Sequence, residues 1–178
     1  MGGPAGPADQ GRRVSAVLYA SVDSPIGDLL LTGDGHALHG LHMTEGRRPV
    51  GIDPAWRRSA EAFAAVRAQL TEYFAGERTR FEVVLDMAGT PFQRRVWTEL
   101  EAIPYGTTIT YGELARRVGQ PSAARAVGLA NGRNPVAVIV PCHRVIGADG
   151  SLTGYGGGME RKELLLGLER GEARLPGL

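Results

Sequence analysis

The sequence contains one cysteine, Cys142, and one lysine, Lys162, among 178 residues. A single cysteine cannot form an internal disulfide, which favours a reducing compartment. No apolar run approaches the ~20 residues that span a bilayer, and the start "MGGPAGPADQGRR" lacks the apolar stretch of a secretory signal. We therefore expect a cytoplasmic protein without membrane contact. The Gly and Pro content of residues 1–13 predicts a disordered lead-in.

The net charge of +1 is divided unevenly along the chain. Residues 1–86 carry −2 and residues 87–178 carry +3. Between positions 111 and 144 a single acid, Glu113, accompanies five arginines: Arg116, Arg117, Arg125, Arg133 and Arg144. Such a patch is compatible with a polyanionic partner, and a solvated helix face explains it equally well.

The first half of the chain is predicted to form strands followed by a helix. The segments "RVSAVLYASVDS", "GDLLLTG" and "HALHGLHM" are separated by turn residues, which predicts an antiparallel meander. Asp53 as N-cap and Pro54 at the first helical position predict a helix that includes Trp56 and ends near Gly76. The segment "RFEVVLDM" then predicts another short strand.

The second half is predicted to be mostly helical. "TPFQRRVWTELEAI" begins with a capping-box pattern at Thr90 and Gln93. Two short helices follow, one from Thr110 to Gly119 and one capped by Ser122 and ended at Gly132. Because a tight Gly/Pro turn joins them, they predict a helix-turn-helix. A last helix lies in "ERKELLLGLERG". We place domain boundaries at 14–86 and 87–172.

The second helix of this pair consists mainly of small residues around one long cation, Arg125. A helix that reads the major groove presents several Asn, Gln, Arg or Lys side chains, and this helix presents almost none. Ala124, Ala126 and Gly128 would let the backbone approach a minor groove, where Arg125 enters the base stack. The alternative is a core helix with its alanines packed inward and Arg125 in solvent.

A metal site is one interpretation of three closely spaced histidines, His36, His39 and His42. On a strand, His36 and His42 share one face and His39 points to the other. No cysteine lies nearby to complete a structural zinc site. We therefore interpret them as partly exposed strand histidines.

The stretch "VIVPCHRVIG" places Cys142 beside His143 at the end of an apolar run that predicts a strand. A histidine base and nearby positive charge activate a thiol by lowering its pKa. Because neighbours on an extended chain point in opposite directions, a turn or a bridging water is needed to connect them. Glu163 and Glu169 on the last helix are candidates for orienting the base. The alternative is that Cys142 is a buried small hydrophobe.

Five segments of the chain, taken together, resemble the 6-O-alkylguanine-DNA alkyltransferase family. They are "TPFQRRVW", "IPYGTTITYGELA", "ARAVGLANGRNP", "VPCHRVIG" and "TGYGGG…RKELLLGLE". The first half resembles the family more loosely, through "DSPIGDLLL" and "YFAGE". The resemblance implies an α/β fold with a ribonuclease-H-like antiparallel sheet and helix at the N-terminus. It also implies a C-terminal helical subdomain with the helix-turn-helix.

The resemblance further implies a function and site residues. The family binds duplex DNA through the minor groove, flips out 6-O-alkylguanine and transfers the alkyl group irreversibly to its own cysteine. Cys142 would be the acceptor, His143 the base working through a water, and Glu169 the residue orienting it. The remaining implied roles are a proton donor at Tyr111, a brace at Asn134, DNA contacts at Ala124, Arg125, Ala126, Gly128 and Tyr111, and a guanine pocket at Pro141, Val145, Tyr155 and Gly156.

By the same resemblance we expect no cofactor and a monomer associated with the nucleoid, with cooperativity on DNA left open. Some relatives bind zinc through N-terminal cysteines, which are absent here, so no metal is carried over. The all-glycine run after Tyr155 stands where some relatives have a serine, which leaves the range of alkyl groups open.

Two other functions also fit the motifs. A DNA-binding regulator that senses oxidants or alkylating agents would share the helix-turn-helix and the reactive thiol, but would leave its DNA unchanged. A Cys-His hydrolase would turn over small acyl substrates repeatedly, and the basic helix-turn-helix argues against it.

Overall fold

The computed structural model describes residues 16–46 and 49–172, so the predicted lead-in at 1–13 lies outside the described residues. Six strands and five α-helices are present in this part of the chain. In chain order they are β1 (Leu18–Val22), β2 (Leu29–Gly33), β3 (Leu38–Met43), β4 (Arg57–Arg58), α1 (Ala64–Phe74), α2 (Pro91–Glu101), β5 (Ile109–Thr110), α3 (Tyr111–Arg117), α4 (Ala124–Asn131), β6 (Val145–Ile146) and α5 (Met159–Glu169). The α/β architecture, with a sheet first and helices after it, is confirmed.

The predicted meander is present as a four-stranded sheet in the order β3-β2-β1-β4. β1 pairs antiparallel with β2, and β2 pairs antiparallel with β3. Every residue of β2, which lies between β1 and β3, is buried, and Leu29 and Leu31 belong to the core that also includes residues of the helices. β4 adds a short parallel edge beside β1, which the sequence patterns did not predict.

The predicted start of the first helix, at Asp53 and Pro54, is wrong. The Asp53 carboxylate accepts a hydrogen bond from the Ala55 N–H at 2.8 Å, which closes a local turn. The following backbone then pairs with β1, since the Arg57 N–H donates to the Val17 carbonyl at 2.9 Å. Trp56 therefore lies before the helix, which starts after a short 3-10 turn and ends near Gly76 as predicted.

The segment "RFEVVLDM" does not form a regular strand. It makes one isolated bridge, Leu85 to Leu38 on the free edge of β3. The segment leading to Cys142 uses the same edge, where Leu41 donates to the Pro135 carbonyl at 2.9 Å and Ala137 donates back to Leu41 at 3.1 Å. The edge of the N-terminal sheet thus anchors the segment that leads to Cys142 in the C-terminal half.

The helices of the second half begin largely where their capping residues predict. Thr90 and Gln93 form the full capping box of α2, and the Thr110 hydroxyl accepts from the Glu113 N–H at 3.1 Å to cap α3. α4 starts one residue later than predicted, with Ala123 as N-cap and no side-chain cap bond, so the predicted cap at Ser122 is wrong. α3 and α4 pack on each other as a helix pair.

One hydrophobic core runs through both halves. It extends from Leu29 and Leu41 in the sheet through Trp97 of α2 to Leu165 of α5. The Trp97 indole N–H donates to the Ala130 carbonyl at 2.9 Å, which fixes α2 against α4. Among the described residues, no helix is long and apolar enough to cross a membrane.

Candidate active site

Cys142 lies in a 3-10 turn formed with His143 and Arg144, so the predicted strand at this position is wrong. The Asn134 amide bends the preceding chain, donating to the Val140 carbonyl at 2.7 Å and accepting from the Val136 N–H at 2.9 Å. Within this bend Val138 has a φ of 70°, which is costly for a β-branched residue. In a 3-10 turn the strand alternation that points neighbouring side chains in opposite directions does not apply, and the role of Asn134 as a brace stays a prediction.

The Cys142 side chain is almost enclosed, with 6% of its surface exposed. Burial raises the pKa of the Cys142 thiol, while the Asn134 amide and the charge of Lys162 act in the opposite sense. The expectation of a resting thiol with a lowered pKa is therefore wrong, because desolvation outweighs the nearby donors and charge. The thiol keeps its proton in the resting fold and needs a base to lose it.

His143 contacts Glu169 directly, and both side chains are fully buried. The Nε2 atom lies 2.8 Å from Oε1 of Glu169. Since the ionised carboxylate only accepts, Nε2 carries the hydrogen and Nδ1 is left as the basic ring atom. Nδ1 is buried and has no hydrogen-bond partner among residues 16–46 and 49–172. Glu163, the other candidate for this contact, is exposed on α5.

Arg144 is held inside the protein by the same carboxylate. Its Nε donates to Oε2 of Glu169 and its terminal nitrogen to Oε1, both at 2.8 Å, and a further nitrogen donates to the Ile103 carbonyl at 2.6 Å. Although burial acts in the opposite direction, the hydrogen bonds from His143 and from this fork hold the pKa of Glu169 far below its usual range. Arg144 is therefore a structural ion-pair partner, and its placement in the exposed basic patch is wrong.

The His143 ring is neutral at rest. Burial lowers the pKa of His143, and Arg144 and Lys162 lower it further, although Glu169 acts in the opposite direction. A carboxylate beside an imidazole ordinarily favours the charged ring, but burial of the His143 ring outweighs the effect of Glu169 here. A neutral ring whose Nδ1 is free of hydrogen is the form that can accept a proton.

Tyr111 stands at the first position of α3, beside the thiol segment. Its hydroxyl donates to the Thr153 carbonyl at 3.1 Å. Burial raises the pKa of Tyr111 and the Cys142 thiol raises it further, so the phenol stays protonated at neutral pH. A Cβ at Gly128 would stand 3.6 Å from the Tyr111 ring, so α3 and α4 approach each other closely here.

Asn131 and Lys162 are site residues that the sequence patterns missed. The Asn131 amide donates to the Cys142 carbonyl at 3.3 Å, which joins α4 to the thiol segment. The Lys162 ammonium donates to the carbonyls of Val145 and Thr153 at 2.6 and 2.8 Å. Burial lowers the pKa of Lys162 to about 8. Its status as the single lysine of the chain was the available signal.

The predicted pocket residues separate into two groups. Tyr155 and Gly156 line a cavity of about 290 Å³ together with Asn134. Val145 is fully buried behind the 3-10 turn, whereas Pro141 lines a different cleft with Ile103 and Arg144. The structure therefore does not bring Pro141 to the Tyr155 cavity. The cavity needs glycine at position 157, because a Cβ there would lie 2.0 Å from the Met43 sulfur.

The exposed face of α4 carries the predicted DNA contacts. Arg125 and Ala126 are exposed, Ala124 and Gly128 are half-buried, and the opposite face of α4 is buried. The interpretation of α4 as a core helix with its alanines packed inward is therefore only partly right. A large apolar side chain, Leu129, is 63% exposed one turn after Arg125.

The basic patch is smaller than the five arginines suggested. Arg116 and Arg117 both pair with Glu113, at 2.6 and 3.2 Å. With Arg144 buried, Arg125 and Arg133 remain as the exposed members that have no ion pair within the described ranges.

The three histidines of the first half form no metal site with other ligands in the part of the chain that the structure describes. His39 and His42 lie half-buried on β3, and His36 is exposed just before it. His39 faces Asp34, with Nε2 at 3.8 Å from the carboxylate.

Comparisons with known proteins cover nearly the same segments. The family model of the 6-O-methylguanine DNA methyltransferase DNA-binding domain matches residues 91–171, and that of its ribonuclease-like domain matches residues 17–87. The chain is 55% identical over 155 residues to a methylated-DNA–protein-cysteine methyltransferase of Mycolicibacterium paratuberculosis, covering 85% of this chain and 92% of that protein. It is 52% identical over 151 residues to one of Methanosarcina acetivorans, covering 85% and 97%.

The fold is similar to solved structures as well. The Mycobacterium tuberculosis OGT in complex with DNA is 55% identical, covers 88% of this chain and 94% of its own, and superimposes with a TM-score of 0.82. The O6-methylguanine-DNA methyltransferase of Pyrococcus kodakaraensis, at 24% identity and a TM-score of 0.63, shares the fold.

Proposed function

This chain belongs to the 6-O-methylguanine DNA methyltransferase family, and on that premise we propose that Cys142 is the residue that receives the alkyl group. The chain is a DNA-repair methyltransferase that acts by alkyl transfer to its own cysteine. The observation that carries the assignment is the buried chain of contacts from the Cys142 turn through His143 to Glu169.

Chemically, the Cys142 sulfur attacks the saturated carbon attached to O6 of the guanine. One S–C bond forms and one C–O bond breaks, and the electron pair stays with the guanine. The thiol proton passes to Nδ1 of His143 through a water, so that the sulfur reacts as a thiolate. A neutral ring held by Glu169 is suited to this step, since Nδ1 is the basic atom.

Tyr111 supplies a proton to the departing guanine. A phenol with a raised pKa is protonated at neutral pH and has a proton to donate. The hydrogen bond to the Thr153 carbonyl fixes the direction of its hydroxyl. The negative charge that develops on the guanine is thereby neutralised inside the pocket.

DNA is the partner, and α4 is the proposed contact surface. Duplex DNA containing 6-O-alkylguanine places the reactive atom inside the base stack, so the nucleotide has to be extruded. Ala124, Ala126 and Gly128 let α4 approach a minor groove, and Arg125 fills the space that the base leaves. We propose a cytoplasmic monomer, divided at 14–86 and 87–172, without membrane contact.

Incubation with a 6-O-methylguanine oligonucleotide, followed by mass spectrometry of the Cys142 peptide, tests the assignment. One added methyl group per chain and restored guanine are expected, and unmodified DNA is the control. An unchanged peptide with unchanged DNA would favour a regulator, and repeated turnover of a small ester without methylation would favour a hydrolase. More than one guanine repaired per chain would contradict Cys142 as a one-time acceptor.

A further inference from the structure

We propose that Tyr73, a residue of the N-terminal half, sets the basicity of Glu169 and is thereby a positioning residue of the relay formed by Cys142, His143, Arg144 and Glu169. The Tyr73 hydroxyl donates to Oε1 of Glu169 at 2.7 Å. That oxygen is the one that holds Nε2 of His143. The inference rests on the proposed function, because it assigns His143 as the base.

Tyr73 is held rigidly in this contact. It is fully buried on α1, and its ring packs against Phe74, Phe81 and Tyr105 with centroid distances of 5.4, 5.2 and 6.1 Å. A buried hydroxyl needs an acceptor, and within the described ranges its partner is the Glu169 carboxylate, 96 residues along the chain. The packing therefore fixes which atom of the relay the hydroxyl meets.

Oε1 of Glu169 is shared by three donors. They are the Tyr73 hydroxyl, Nε2 of His143 and a terminal nitrogen of Arg144. A hydrogen bond to a carboxylate stabilises its charge and lowers its affinity for further protons. The Tyr73 hydroxyl thus weakens the pull of Glu169 on the ring hydrogen of His143 and keeps Nδ1 less basic.

The position of Glu169 does not depend on Tyr73 alone. The Arg144 fork and the Gly106 N–H, at 3.1 Å from Oε2, hold the carboxylate independently. Loss of the hydroxyl therefore changes the basicity of Oε1 more than its position. The other titratable or charged groups that act on His143, Glu169 or the thiol are Tyr105, Tyr111, Arg144, Tyr155 and Lys162.

The direction of the effect follows from these contacts. Without the Tyr73 hydroxyl, Glu169 is more basic, the imidazolium form of His143 is favoured, and the Cys142 thiol loses its proton more easily. The apparent pKa of Cys142 should fall by about half a unit to one unit, because one hydrogen bond to a charged group has been removed.

The test is the rate of iodoacetamide labelling of Cys142 against pH in Tyr73→Phe. Tyr105→Phe is the matched control, since it removes a hydroxyl from the same aromatic cluster without a bond to Glu169. We expect a downward shift of the labelling profile for Tyr73→Phe and an unchanged profile for Tyr105→Phe. An unshifted or upward-shifted profile overturns the proposal, whatever happens to the thermal midpoint.

A second substitution keeps the test decisive if Tyr73→Phe does not fold. Site-specific replacement of Tyr73 by 3-fluorotyrosine keeps the ring and strengthens the donor, so the profile should shift upward. Labelling needs no DNA, so a wild-type chain that fails to repair 6-O-methylguanine would refute the proposed function and leave this result readable. No upward shift with the stronger donor would refute the role of Tyr73.

Discussion

The exposed face of α4 and the buried relay differ in whether their charges are paired. On α4, Arg125 is exposed and has no ion pair in the part of the chain that the structure describes. In the relay, the charge of Arg144 is matched by Glu169, and neither the carboxylate nor the His143 ring is exposed to water. One region keeps its charge available for a partner, whereas the other uses charge to hold a neutral base.

This difference predicts which measurements each region controls. Exposed charges act through solvent and are screened by salt, so α4 should affect the encounter with DNA and base extrusion. Buried pairs are costly when one member is removed, so the relay should affect stability and thiol chemistry. A substitution on α4 that changed thiol chemistry, or one in the relay that changed the encounter with DNA, would show that the two regions are coupled.

The largest expected effect is the loss of all transfer in Cys142→Ser. A hydroxyl is a far weaker nucleophile than a thiolate, and the chain has no second cysteine to replace it. DNA affinity should stay the same, because the α4 face is untouched. Fluorescence anisotropy with a duplex and mass spectrometry of the protein measure both. A large loss of DNA affinity would mean that the thiol region also binds the duplex.

Glu169→Gln should lower the free energy of unfolding by about 3–5 kcal/mol, since Arg144 would be left buried without its counter-charge. It should also raise the apparent pKa of Cys142 and slow repair at neutral pH. Urea denaturation and iodoacetamide labelling against pH measure the two effects.

The Glu169 comparison has a pH dependence and a control. The pKa of Glu169 is lowered in the fold, so its stabilisation is complete above the ordinary carboxyl pKa of about 4 and is lost as the pH falls further. The difference in free energy of unfolding between wild type and Glu169→Gln should therefore become smaller at acid pH. Glu163→Gln, at an exposed position of the same helix, should change neither property. A stable Glu169→Gln would show that Arg144 does not depend on this carboxylate.

Arg125→Ala should slow repair of duplex DNA by roughly 10- to 100-fold, because extruding a base costs a few kcal/mol and the side chain offsets part of it. Transfer from a free alkylated base should be unaffected. Arg67→Ala removes an equal charge from an exposed position of α1 and serves as the control. Single-turnover rates on the two substrates provide the measurement. Equal losses of rate on both would mean that Arg125 acts in the chemical step.

The smallest expected effect concerns Lys162, a buried cation beside the relay. Its pKa is lowered to about 8 in the fold, so between pH 8 and its ordinary value of about 10.4 the unfolded chain binds more protons. The stability of wild type relative to Lys162→Met should therefore rise by about 1–2 kcal/mol from pH 7.5 to 9.5. Urea melts at three pH values test this. A difference that stays constant with pH would mean that Lys162 remains charged throughout.

Local sequence patterns determined much of the fold. The antiparallel meander, the capping box at Thr90 and Gln93, and the cap at Thr110 appear as predicted, because each depends on neighbours within a few residues. The start of α1 was missed, since pairing of Arg57 with the Val17 backbone overrides the Asp53–Pro54 signal. The missing strand at "RFEVVLDM" has the same origin, as one bridge to β3 replaces a full ladder.

By itself the sequence determined the order and identity of the groups that the family resemblance assigns to the chemistry: a lone thiol, a histidine beside it and a carboxylate on the last helix. Only the tertiary structure decided their protonation states. The relay joins residues 73, 142–144 and 169, which are distant along the chain, so neither their burial nor the Arg144–Glu169 pairing follows from local pattern. Because desolvation raises the pKa of the thiol and lowers that of the ring, the resting site is neutral at Cys142 and His143, and this state depends on the packing around them.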